Sequence, residues 1–450
     1  MAKKSIDMTS GPIFSKILIF VIPLLLTNLL QQLYNMADML VAGRFAGELA
    51  LAAVGVTHSL TNLITNVLVG ISIGVSTVIA QALGAKDKEC ADRVVHTSMA
   101  ISIFGSILLA LIGMIICRPI LMLMNTPANI LNKSVNYMRI IFAGYPISSI
   151  FNFGAAILRS KGDTKRPLLF LAISGAVNVV LNCVFVIVFN WGVEGVAFST
   201  VISQFLSAVM VLIWLFGEEY PFKIEIKKIK IHTAEFKRVL GCGVPIAAQS
   251  AMFSFANLTI QSSVNSFGEL AVAGAGAASN INNILYVILN APSHASTIFT
   301  GQNFGAKKYE RIPKILYMSS LVVMLMWVIS GTLIVTFAKP LIGLFADNEV
   351  VINYGGQVVT VLCGTYFLCG IMEVISGCLK GINKSMISMI NSLVSLFGIR
   401  IVWVFTYFAH HRLLPVLYVG YPLSWIFALF AHSLFFIYYF KKIKKENTLI

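Results

Sequence analysis

The chain is expected to be an all-α polytopic membrane protein. Twelve transmembrane helices are expected, in two six-helix lobes related by a pseudo-two-fold axis along the membrane normal. Three observations predict this. The 450 residues are 58% hydrophobic and 11% charged, against about 25% charged for an average soluble protein; a soluble core could not hide that much apolar surface. The apolar residues fall in long runs, and about 20 such residues cross a bilayer as a helix. The sequence also repeats itself at an offset of 221 residues.

The runs place spans at 16–41, 51–82, 94–116, 135–158, 168–189, 193–216, 238–263, 272–303, 314–337, 352–378, 386–408 and 415–440. Several exceed the ~20 residues of a perpendicular crossing, so tilt or kinking is expected. The first run lacks a small-residue cleavage site, so no cleavable signal peptide is expected.

The repeat sets the organisation. "FAGELALAAVG" (45–55) answers "FGELAVAGAG" (267–276), "AQALGAKDKE" (80–89) answers "GQNFGAKKYE" (301–310), and "RPILMLM" (118–124) answers "KPLIGLF" (339–345), all at 221; Pro23 matches Pro245 at 222. "ILRSKGDTK" answers "CLKGINKS" after a two-residue slip. Six spans per unit is an even number, so both copies insert the same way up, a parallel repeat. The lobes are 1–216 and 238–450, and the charged 217–237 segment between them reads as a cytoplasmic linker.

Charge gives the orientation. Of 33 Lys and Arg, 26 fall on the side of the N-terminus when the spans alternate, six on the other, and Arg400 lies inside a span. The positive-inside rule then puts both termini in the cytoplasm of a cell-membrane protein. The net charge of +15 reflects this topology and contact with anionic membrane lipids, not a nucleic-acid surface. The seven cysteines form no ligand pattern with histidine and read as small core residues.

Of eighteen Asp and Glu, Asp38 and Glu373 alone sit well within spans. An intramembrane acid costs at least ~2.5–3.5 kcal/mol at a helix centre, which makes it a functional candidate. Asn28, Gln31, Asn35 and Asp38 are spaced three, four and three apart, so they make one polar stripe that avoids lipid. Span 5 adds Asn178 and Asn182, and span 6 adds Thr200. Amide and hydroxyl oxygens around a carboxylate suit a hard monovalent cation or a proton. No other metal and no cofactor is expected. The two halves differ at their acids: Asp38 matches Ile260 or Thr259, and Asn152 matches Glu373. A structural Glu373–Arg400 ion pair and a pair whose protonation gates the protein are both open readings. Asn257 joins Gln31, Asn35, Asn152, Glu373 and Arg400 as a cavity or gating candidate. No P-loop occurs and no extramembrane segment could hold an ATPase, so an enzyme is not expected and energy must come from an ion gradient.

The two six-span repeats, Pro23 and Pro245, "NMADMLVAG", "LGAK" after span 2, "ILRSKGDTKRP" after span 4 and "MEVISGCLKG" in span 10 resemble the multidrug and toxic compound extrusion (MATE) family, over about residues 10–440. The resemblance implies two lobes around a central cleft and export of cationic or amphiphilic small molecules coupled to Na⁺ or H⁺ entry. It also implies a cation site at Asp38, Asn178, Asn182 and Thr200, with an asparagine at 182 where some members carry aspartate. Members with a C-lobe sodium site carry an acid on span 7, and "GVPIAAQSAMFSFANL" has none, which argues against such a site here. A monomer is expected. The rival reading is a lipid-linked oligosaccharide flippase of a related two-lobe plan. That function would favour several deep arginines for pyrophosphate, and Arg400 is the single deep basic residue by this reading.

Overall fold

A segment alone in lipid must satisfy its own backbone, and a helix does so. The structure, a computed structural model, describes residues 6–448. Among these run the long helical segments α1 (Ile13–Phe45), α2 (Glu48–Gly84), α3 (Lys88–Leu123), α4 (Ala128–Ser160), α5 (Lys165–Val188) and α6 (Gly192–Phe216). The second half supplies α7 (Thr233–Asn265), α8 (Glu269–Gly305), α9 (Arg311–Thr336), α10 (Glu349–Gly381), α11 (Ser385–His410) and α12 (Leu414–Thr448). Eleven of the described helices are long and apolar enough to cross a membrane. The other, α7, is 33 residues long. Leu123, Leu344, Ile329 and Ile115 are 74–84% exposed, as lipid-facing side chains are.

The repeat is visible in the backbone. Gly47 (φ 88°) and Gly268 (φ 90°) turn the chain from α1 to α2 and from α7 to α8, in a region where a Cβ would clash. Lys86 (φ 58°) and Lys307 (φ 57°) end α2 and α8 in the left-handed conformation. Each end is closed by a 2.9 Å bond, Asp87 N to Ala82 O and Lys308 N to Asn303 O, the Schellman arrangement. Gly162 (φ 91°) and Asn383 (φ 62°) do the same after α4 and α10, with Asp163 N to Leu158 O at 3.0 Å and Lys384 N to Leu379 O at 2.8 Å. Each of these pairs is 221 apart. The expected two-residue slip is therefore absent. It came from matching Lys161 to Lys380, whereas the turns align Arg159 with Lys380.

The helices form two compact units. The first takes Ile22–Gly243 and the second takes Met8–Val21 together with the chain from Val244 onward. The first helix of each half thus changes unit beside its proline, Pro23 in α1 and Pro245 in α7. In the second unit the opening segment is held by Asn303 Nδ2 to Met8 O at 3.0 Å, Lys308 Nζ to Thr9 O at 2.8 Å, Arg311 Nη2 to Gly11 O at 2.9 Å, and the Phe20 ring edge-on to Phe299 at 5.8 Å. Buried Leu285, Leu289, Tyr366, Met372 and Trp425 build that unit's main core.

In the first unit Val75, Ile79, Phe153, Ile157, Val211 and Leu215 pack between α2, α4 and α6. The chain after α6 folds onto this unit as a strap. Ile224 enters the core, His96 Nε2 accepts from Glu225 N–H at 3.0 Å, and Arg93 pairs with Glu235 at 2.6 Å. Glu218 accepts from Lys161 Nζ at 2.5 Å, Trp214 Nε1 at 2.6 Å and Arg166 Nη1 at 3.2 Å. Burial alone would raise the Glu218 carboxyl, but these donors outweigh it and hold it below the usual carboxylate range.

Candidate functional site

Three helices of the first unit bring the N-terminal candidates together. Asn182 ends the α-helical part of α5, before a π-helical stretch, Cys183–Val188, the kind of local widening that often marks functional positions. Its Nδ2 donates to Asp38 Oδ1 of α1 at 2.5 Å and to Asn178 Oδ1 one turn earlier at 3.3 Å. Thr200 Oγ1 of α6 donates to Asp38 Oδ2 at 3.2 Å. Asn182 is fully buried, Asn178 nearly so, and Asp38 is half-buried.

The position of Asp38 is set one turn away by Tyr34. Its ring lies against Gly175 of α5, where an added Cβ would fall 1.6 Å from Tyr34 Cζ. Its hydroxyl donates to Leu171 O at 3.1 Å. The notch at Gly175 lets α1 approach α5 closely, and the ring then fixes the rotation that aims Asp38 at Asn182.

The carboxylate accepts two hydrogen bonds from neutral donors, and among the described residues it has no cationic partner. Its negative charge is solvated but not neutralised by the protein. The surrounding groups offer oxygen and no soft donor, a set suited to a hard cation or a proton.

Ser199 was missed from sequence. It donates to Asn182 Oδ1, so the amide is held from both ends. Its signal was its place beside Thr200. The other members of the stripe do not join the cluster. Among the described residues Gln31 and Asn35 make no side-chain hydrogen bond, and Gln31 is exposed. Asn152 donates within its own helix, to Ser148 O at 2.9 Å.

In the second unit Glu373 and Arg400 are both buried, but they do not form the ion pair considered above. Glu373 Oε2 lies 3.8 Å from Lys380 Nζ, and its Oε1 accepts from Gln249 Nε2 at 3.5 Å. Arg400 donates instead to Ser424 Oγ at 3.1 Å and to Asn257 Oδ1 at 3.2 Å, and its guanidinium stacks 4.0 Å over the Tyr421 ring. Two features account for the change. Lys380 continues α10 two turns beyond Glu373, on the same face, so it is a buried helical cation and not a loop residue. Arg400 follows a π-helical stretch, Leu393–Gly398, which alters the face it presents. Gln249 also donates to Ser392 Oγ at 3.0 Å. Nearby, Ser376 and Ser388 are 2.7 Å apart, and Ser388 lies 3.3 Å from Nε2 of fully buried His432.

Comparison with known proteins agrees with this fold. The MatE family profile matches residues 23–184 and 245–406, once in each half. The chain is 28% identical over 418 residues to the probable multidrug resistance protein YoeA of Bacillus subtilis, covering 90% of this chain and 89% of that one. It is 21% identical over 378 residues to the multidrug export protein MepA of Staphylococcus aureus, covering 83% of each. The crystal structure of MATE in complex with MaL6 superposes with a TM-score of 0.92 at 23% identity, over 99% of this chain and 100% of that one. The doubled profile match, the twelve helices and the turns repeated at a constant offset lead to one conclusion: this multi-pass membrane protein belongs to the MatE family of multidrug and toxic compound extrusion transporters.

Proposed function

We propose that the chain is a secondary active transporter that exports organic cations or drugs by antiport with Na⁺ or H⁺. The observation that carries this reading is the Asp38 carboxylate, hydrogen-bonded by Asn182 and Thr200 with no cationic side chain among the described residues to neutralise it. A charge held in this way binds an incoming monovalent cation or proton, and that binding changes the hydrogen bonds that tie α1 to α5 and α6. The names of the relatives, multidrug resistance and multidrug export proteins, support small cationic or amphiphilic molecules as the cargo. In this mechanism the lobes 1–216 and 238–450, joined by 217–237, alternate access across the membrane with both termini in the cytoplasm. Coupling requires that ion and cargo prefer different states, because a ligand shifts an equilibrium only by its differential affinity. One charge entering across 100 mV supplies about 2.3 kcal/mol, enough for roughly fifty-fold accumulation.

The test is dye transport in everted membrane vesicles with a Na⁺ gradient or a pH gradient imposed separately. One of the two is expected to drive transport. Asp38→Asn, nearly isosteric but without charge, is expected to abolish it at equal protein amount. Wild-type transport by that variant would remove Asp38 from the mechanism.

A further inference from the structure

A cavity of about 630 Å³ opens in the second unit between the end of α9, the start of α10 and the start of α12. Lys339 is the single ionisable residue among those lining it, beside Asn353, Gln357 and Thr360 of α10. Asn353 and Gln357 are one turn apart and exposed on the same face. Among the described residues neither amide nor the Lys339 ammonium has a hydrogen-bond or ion-pair partner. Gly356 makes room for the lysine stem, since a Cβ there would lie 3.2 Å from Lys339 Cγ. The cavity therefore presents an ammonium and two amides, with no acid among its lining residues.

The matching positions of the first half include an acid. At the 221 offset Arg118 stands for Lys339, Asn132 for Asn353, Asn136 for Gln357 and Glu194 for Pro415. In that copy Asn136 Nδ2 donates to Glu194 Oε1 at 3.1 Å, so the chain supplies its own anion. In the second copy Pro415 lines the cavity in place of that acid. The donors are retained and the internal acceptor is gone.

We infer that this cavity binds the phosphate of an anionic phospholipid headgroup. A phosphate offers several strong acceptors for an ammonium and two amides. The site lies where span α9 ends at Thr336 and span α10 begins at Glu349, the level at which headgroups meet helix ends. The neighbouring Leu333, Phe337 and Leu344 are 51–79% exposed, an apolar surface for acyl chains and an unfavourable one for a free hydrated ion. This inference does not depend on the transport reading.

The test is native mass spectrometry of the purified full-length protein in detergent, titrated with dioleoyl-phosphatidylglycerol. Lys339→Gln is expected to weaken the tightest binding about five-fold, the effect of one basic residue at a membrane surface. Lys88→Gln, which removes the same charge from an exposed site elsewhere, is expected to leave it unchanged. Pro415→Glu restores the internal acid and is expected to weaken lipid binding as well. Equal losses for Lys339→Gln and Lys88→Gln, or unchanged binding in Pro415→Glu, would overturn the assignment. So would inorganic phosphate displacing the lipid as readily as free lipid does, since the occupant would then be a soluble anion.

Discussion

Replacing Gly175 by alanine tests how the Asp38 cluster is positioned. The new methyl would lie 1.6 Å from Tyr34 Cζ and 2.1 and 2.2 Å from the two Cε atoms. These distances are far inside van der Waals contact, so the whole ring must leave or α1 must retreat. Overpacking of this kind costs roughly 1–3 kcal/mol, and losing the Tyr34 bond to Leu171 O adds about 0.5–1.5 kcal/mol. A total of roughly 2–4 kcal/mol is expected. Thermal unfolding in detergent measures it as a lower apparent Tm at a fixed scan rate. Gradient-driven dye transport should fall with it, because the retreat of α1 parts Asp38 from Asn182. The decisive comparison is with Tyr34→Ala. If ring and methyl compete for one space, the double variant Tyr34→Ala with Gly175→Ala is no less stable than Tyr34→Ala alone. Additive losses, or a Gly175→Ala protein as stable as the wild type, would refute the argument that this notch sets the approach of α1.

Three further outcomes are expected. Glu373→Gln leaves buried Lys380 without its carboxylate and should lower stability by roughly 3–5 kcal/mol; adding Lys380→Met should recover much of the loss, whereas Arg400→Gln should add independently, and detergent melts of the single and double variants decide this. Glu218→Gln should be less stable than wild type near neutral pH, where the depressed carboxyl contributes. That contribution is lost as pH falls below the ordinary glutamate value of about 4.5 and through the lower folded value, so the two melting curves should converge in acid; a gap independent of pH would contradict it. Single cysteines at Lys86 and Lys307, in a background free of other cysteines, should both resist an impermeant thiol reagent in intact cells and both react once the membrane is opened, while cysteines at Glu48 and Glu269 do the reverse. Labelling of Lys86 and Lys307 from opposite sides would contradict a parallel repeat.

Much of this architecture was legible in the sequence because lipid imposes a simple grammar of apolar length and of turns between helices. The Asp38–Asn178–Asn182–Thr200 cluster was legible because each member is a polar residue in an apolar span, and such residues turn toward one another. What escaped depends on distance in the chain or on helix phase. No local pattern links Tyr34 to Gly175, since nothing in either helix records which glycine meets which ring. The Glu373–Arg400 pair left open by the sequence does not form, since Glu373 lies against Lys380 and the π-helical Leu393–Gly398 stretch, which no local pattern records, shifts the phase of Arg400. Lys380 was placed in a loop because the following "GINKS" reads as a turn, yet its seven-residue spacing from Glu373 already put both on one helix face.

The assignment of Met8–Val21 to the second unit has a consequence for biosynthesis. Chains leave the ribosome from the N-terminus, so this segment emerges before the groups that hold it. Its partners Asn303, Lys308 and Arg311 follow some three hundred residues later. For most of translation the opening turns of α1 wait without the groups that hold them, while the rest of that helix can already join the first unit. A segment made well before its partners is therefore seated only once they have followed. A chain cut between Gly243 and Val244 would leave the second fragment short of a segment that only the first fragment carries, so the two pieces would have to be made together for the second unit to be completed.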